Sequence, residues 1–181
     1  TDVLAQLFAQ DSLYQDANVL LNFTGNHDMG RFAHLLRASK KYDDTEIAKR
    51  LTLATAITYF TRGIPVIYYG DEQGFVGDGG DQDARQNMMP SQVDSYNDDD
   101  LLATDKTTAV DNFDQSHLFY QTFSKYAELY QAYPALRQGA QSTLYAQDES
   151  GLFAIKREYI AENGDKQSLA IVFNTSKESL A

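Results

Sequence analysis

The chain begins on an amphipathic stripe. Leu4, Leu7 and Phe8 recur at helical spacing and predict a helix over residues 2–10. Val19 to Phe23 is a continuous apolar run, the pattern of a strand covered on both faces. Segment 43–63, DDTEIAKRLTLATAITYFTRG, returns to the helical period. Ile47, Leu51 and Ala54 mark its inner face, Asp43, Asp44 or Thr45 can cap its start, and Gly63 closes it. GIPVIYYG, residues 63–70, is a second apolar strand pattern. Strand, helix, strand in this order predicts a parallel βαβ unit with a right-handed crossover.

From Gly74 to Asp111 the periodicity is lost, and seven Asp between residues 78 and 100 face the single Arg85. A long irregular stretch of this kind is a functional loop or a disordered one. Helical spacing resumes near Asp114. There Phe119, Phe123, Tyr126, Tyr130 and Tyr133 form an aromatic face for a core, ended by Pro134. STLYAQ, LFAIKREY and SLAIVFNT then read as antiparallel strands, the last two joined by the turn-rich AENGDKQ. A domain boundary is expected near Gly139, giving domains 1–139 and 140–181.

Composition narrows the function. With 43% hydrophobic residues in 181, a packed core is feasible. A balance of 15 Lys+Arg against 26 Asp+Glu, net −11, argues against nucleic acid or an anionic membrane surface as partner. No apolar run reaches the ~20 residues of a membrane-spanning helix. The absence of cysteine excludes disulfides and thiolate metal sites. The first residues lack a signal-peptide pattern and read as the middle of a helix, and the chain stops just after a strand. We therefore expect a fragment of a longer protein, whose ends carry no cellular address.

Both apolar strands run into polar clusters, Asn26-His27-Asp28 and Asp71-Glu72-Gln73. In parallel βα architectures functional groups sit where strands end. A structural alternative makes Asp28 the N-cap of a helix MGRFAHLL. GNHD (25–28) and GDGGD (77–81) also resemble metallophosphoesterase blocks, but in reversed order. With only His34 and His117 besides His27, a two-metal site is poorly supplied.

A second resemblance covers nearly the whole chain. FTGNHD resembles the F-x-x-N-H-D block that ends the seventh barrel strand in the α-amylase family of glycoside hydrolases. GIPVIYYGDE, beginning 35 residues after Asp28, resembles that family's eighth strand. GGDQDAR resembles the loop that follows, with Gln82 where Pro is common. FSKYAELYQAYPALRQG resembles the last barrel helix, and the final strands resemble the start of the C-terminal β-domain. Five blocks in this order imply an α/β fold: the C-terminal portion of a (β/α)8 TIM barrel (strands 7 and 8 with their helices), then the start of an antiparallel β-sandwich.

The resemblance implies a retaining glycosidase or transglycosylase of carbohydrate metabolism, with an α-glucan or malto-oligosaccharide as substrate. Such chemistry needs a nucleophile and an acid/base carboxyl roughly 5–5.5 Å apart. Asp28 matches the family's third carboxylate, a transition-state stabiliser that bonds sugar hydroxyls. His27 and Asn26 match substrate-binding neighbours. Asp81 and Arg85 match loop positions that contact sugar in some relatives, a solvated loop being the alternative. Arg31 is counted with the substrate-binding set, pairing with a nearby carboxylate or forming a surface salt bridge. Tyr68 and Tyr69 fit strand packing better than sugar platforms. No cofactor or metal is required for bond breaking. The Asp-rich loop leaves room for a structural Ca²⁺, although a solvated loop is the simpler account.

Nothing matches the nucleophile block, since none of the seven Arg is followed by x-Asp. A complete barrel takes about 250 residues, so only its last quarter is expected here. The chain alone should be inactive, and should self-associate or pair with the missing N-terminal part of the barrel. A non-catalytic amylase-like scaffold is the rival reading. Bond type, chain length and hydrolysis versus transfer depend on upstream loops.

Overall fold

The computed structural model describes residues 1–77 and 79–179. In chain order the elements are α1 (Asp2–Ala9), β1 (Leu21–Asn22), α2 (Phe32–Ala38), α3 (Asp44–Phe60), β2 (Ile64–Pro65), α4 (Asp94–Asn97), α5 (Leu118–Ala132), α6 (Pro134–Gln138), β3 (Ala140–Tyr145), β4 (Leu152–Ile160) and β5 (Lys166–Asn174). The chain divides into two compact units. One comprises Thr1–Asn22, Ile57–Pro65 and Ala127–Ala181, the other Phe23–Ala56 and Val66–Tyr126.

In the first unit, β3, β4 and β5 form an antiparallel sheet in sequence order. The alternation of β4 turns Phe153, Ile155 and Arg157 to its buried side. Phe153 stacks with Phe8 of α1 at 6.2 Å and with its cross-strand partner Phe173 at 6.0 Å. Gly164, at φ 89°, closes the β4–β5 turn, where Ala161 N–H donates to Asp165 O at 2.8 Å.

β1 and β2 pair in parallel, Leu21 with Ile64 and Asn22 with Pro65, separated in sequence by the helices α2 and α3. The strands are not the buried ones their apolar runs suggest. Each has two residues, and Val19, Leu21 and Ile64 are 63%, 61% and 44% exposed. Two short strands cannot cover their own faces, and burial of a parallel sheet needs layers on both sides. Gly63, at φ 113°, lets the chain enter β2, because a Cβ there would lie 2.6 Å from Leu20 O.

The second unit is built on a core of Ala33 from α2, Ile47 and Leu51 from α3, Val76, Leu102, and Phe119 and Phe123 from α5. Of the three positions expected on the inner face of α3, Ala54 is only half-buried. Asp43 is the cap among the three candidates: its Oδ1 accepts from Glu46 N–H at 2.8 Å. α5 begins at Leu118 rather than near Asp114, because Asp114 Oδ1 accepts from Ser116 N–H and holds the preceding residues in a turn.

Segment 74–111 is irregular but neither structureless nor simply solvated. Val76, Ala84, Leu101 and Leu102 are buried in it, together with Gln86, Asp99 and Thr108, and Asn112 just after it is buried too. Gln86 donates to Asp99 Oδ2 (2.9 Å), Thr108 to Tyr96 O (2.7 Å), Asn97 to Ser91 O (2.9 Å) and Asn112 to Val110 O (2.9 Å). Side chains thus satisfy the backbone that no ladder satisfies.

Candidate active site

The residues singled out from sequence all lie in the second unit. Loop 25–30 carries the first cluster. Asn26 Oδ1 accepts from Asp28 N–H at 2.8 Å and Met29 N–H at 3.0 Å, so its side chain closes the loop upon itself. The turn leaves His27 and Asp28 pointing outward. Their side chains are 65% and 70% exposed, with His27 Nε2 at 3.2 Å from Asp28 Oδ2. Asp28 does not cap a helix: α2 starts at Phe32, with Arg31 in the cap position and no side-chain cap bond.

Arg85 reaches this loop from residues 79–85. Its Nε donates to His27 O at 3.0 Å, and its Nη2 stands 3.0 Å from Asp81 Oδ2 and 3.7 Å from Asp28 Oδ1. One guanidinium therefore joins three of the expected positions. A carboxylate, an imidazole and a guanidinium facing solvent together can accept from and donate to adjacent hydroxyls of a polyol.

Arg31 departs from expectation. Its side chain has no exposed surface with which to meet a sugar, and the salt bridge it makes is not a surface one. Nη1 bonds Asp71 Oδ1 at 2.7 Å, while the rings of Tyr68, Phe75 and Tyr69 lie 4.7, 5.2 and 5.6 Å from Cζ. Among the described residues, Nε and Nη2 have no hydrogen-bond acceptor. Gly70, at φ 89°, makes the enclosure feasible, because a Cβ there would strike the Phe75 ring.

Burial pushes the Asp71 carboxyl up to about 6 against the pull of Arg31, and the Glu72 carboxylate adds to the rise. Burial likewise pushes Tyr68 up to about 12, with Tyr69 adding to it. Asp71, Tyr68 and Tyr69 are the residues whose part sequence reasoning did not identify. The available signal was the second polar cluster at a strand end.

Glu72 Oε2 accepts from Gly70 N–H at 2.8 Å, and Gln73 exchanges two bonds with the Asp114 backbone. These two residues of the second cluster hold local structure. For the Asp-rich loop, Asp81 is held by Arg85 and Asp99 by Gln86, and Asp78 lies outside the described residues. Among the described residues no three carboxylate or imidazole groups gather as metal ligands would.

Comparison with known proteins is specific. The α-amylase catalytic domain matches residues 4–161. An α-amylase of Streptomyces lividans is 45% identical over 159 residues, 85% of this chain and 17% of that protein. A β/α-amylase of Paenibacillus polymyxa is 32% identical over 170 residues, 92% of this chain and 11% of that protein. The solved structure of CldA, a cyclomaltodextrin glucanotransferase with a three-domain ABC distribution, superposes with a TM-score of 0.62 at 28% identity. The match covers 94% of this chain and 28% of that one. The chain belongs to the α-amylase family, whose catalytic domain is a TIM barrel, and it spans less than a fifth of the length of these two curated relatives.

Proposed function

We propose that this chain is the C-terminal quarter of an α-amylase-type barrel, with β1 and β2 as its seventh and eighth strands and residues 140–181 opening a β-sandwich domain. The whole protein cleaves or transfers α-glucosidic bonds of an α-glucan or malto-oligosaccharide with retention. Asp28 is its third carboxylate. Standing beside the scissile sugar, it accepts from ring hydroxyls, and these bonds strengthen as the sugar distorts towards an oxocarbenium ion. His27 donates to the same hydroxyls, Arg85 and Asp81 bind the next sugar, and Asn26 contributes by closing the loop. The nucleophile and the acid/base belong to earlier strands, so the 181-residue chain alone releases no sugar.

One observation carries this reading. In a chain of the α-amylase family, His27 and Asp28 stand side by side and exposed on a loop tied down by Asn26 and Arg85. The test begins with the gene upstream of the Thr1 codon, where the reading expects an Arg-x-Asp strand end followed by a Glu strand end. In the full-length protein, Asp28→Asn should lower kcat about 10²–10³-fold on malto-oligosaccharides, with a smaller change in KM. Activity within threefold of the parent would sink the assignment. An upstream frame lacking both carboxylates would make the protein a binding scaffold instead.

A further inference from the structure

We propose that Arg31 and Asp71 are a positioning pair for the Asp28 loop, a buried ion pair that sets where the Asp28 carboxylate stands. The inference rests on the reading of Asp28 given above and adds residues that the matched blocks do not explain. Among the described residues, contacts from Asn26, Arg85 and Arg31 hold the loop, and they differ in kind. Asn26 ties it internally, through Asp28 N–H and Met29 N–H. Arg85 grips it from the solvent side through His27 O, but the Arg85 side chain is 44% exposed and divides its attention between Asp81 and Asp28. Such a contact is screened and readily exchanged for water.

Arg31 is different. It follows Asp28 by three residues, a tether of at most ~10 Å. Its guanidinium is withdrawn from water, bonded once to Asp71 at 2.7 Å and boxed by Tyr68, Tyr69 and Phe75. Nε and Nη2 find no acceptor among the described residues, so the ring faces stand in for hydrogen bonds. A buried guanidinium has nowhere else to go: any shift of the loop that draws Arg31 back breaks its one ionic bond and leaves two charges buried alone. The pair is thus the stiff end of the tether and Arg85 the compliant one. Displacing a reacting group by about 1 Å costs on the order of 100-fold in rate, so the stiff end matters to turnover without touching substrate.

The experiment uses the full-length protein, with kcat, KM and Tm measured for Asp28→Asn, for the double variant Arg31→Met/Asp71→Leu, and for Arg31→Lys. The double variant removes both charges together, so neither is stranded, and it should fold. Positioning predicts a Tm near the parent's, KM within about threefold and kcat lowered 10- to 100-fold, in line with the 1 Å argument. Arg31→Lys keeps one ionic bond to Asp71 and should fall between the parent and the double variant, roughly three- to tenfold down in kcat. A folded double variant with parental kcat, beside an inactive Asp28→Asn, overturns the positioning role and leaves the reading of Asp28 standing. An active Asp28→Asn overturns both. Should the double variant not fold, Arg31→Lys decides: a lowered kcat at parental KM and Tm supports the role, and a parental kcat overturns it.

Discussion

Two arginines in this chain are fully buried, and they are stabilised in different ways. Arg31 has a carboxylate and three rings. Arg157 sits at an inward position of β4 and donates instead to Gly139 O at 3.0 Å, Asn18 Oδ1 at 3.1 Å and Phe60 O at 3.5 Å. Phe60 ends α3 and Gly139 follows α6, so the charge meets the negative ends of two helices. Burial still holds Arg157 down to about 10. Asp71 shows the cost of such burial in a form that pH can reveal. Its carboxyl stands at about 6 in the fold against 3.8 in the free residue, so between these values the folded chain holds more protons than the unfolded one. Stability contributed by the protonated group is therefore complete below about pH 4 and is lost as pH rises through about 6. A shift of about two units corresponds to about 3 kcal/mol at most. Replacing Asp71 with Asn should flatten the fall of Tm between pH 4 and 6, and an unchanged slope would show that another group produces it. The sequence left Arg31 between a nearby carboxylate and a surface salt bridge, because depth is a property of what packs above it. The rings supplied by Tyr68, Tyr69 and Phe75 lie more than 35 residues away in the chain.

Elements declare themselves unevenly for the same reason. β3, β4 and β5 and the helices α1, α3 and α5 follow from alternation or from a 3.6-residue stripe. Only β4, α3 and α5 among them bury much of that face, α1 having no buried residue and β3 being mostly exposed. β1 and β2 shrink to two residues each, since an apolar run announces a buried strand only where neighbours exist to bury it. Segment 74–111 is ordered by Gln86, Asn97, Thr108 and Asn112 bonding to side chains and irregular backbone, a pattern with no period to detect. The start of α3 is the clearest local device. Asp43 accepts from Glu46 N–H, and Glu46 in turn reaches Arg50 at 2.8 Å, one turn on. Asp43→Ala should destabilise the protein by about 1 kcal/mol. Asp43→Asn should cost much less, because the amide oxygen can still accept. Equal losses for the two, measured by urea unfolding, would mean that charge at the helix start matters rather than the bond.

At the scale of the molecule, exposed apolar side chains set the behaviour of the isolated chain. Val19, Leu21 and Ile64 crowd the short parallel pair, and Leu144, Ile160 and Val172 are more than half exposed on or beside the antiparallel sheet. Single exposed apolar residues are ordinary, but rows of them along strands invite pairing with another chain. A net charge of −11 opposes indiscriminate clumping, so the expected product is a limited assembly rather than a precipitate. The purified 181-residue chain should therefore sediment as a dimer or larger species at micromolar concentration. Added salt should strengthen the association by screening the repulsion between acidic copies. Substituting Leu21 and Ile64 together with Thr keeps β-branched or β-tolerant backbones while removing the apolar rows, and should shift the species towards monomer without loss of helical signal. A parent chain that sediments as a monomer and unfolds cooperatively would instead mean that these strand faces are satisfied within one copy, and the argument for a missing part of the barrel would lose its physical basis.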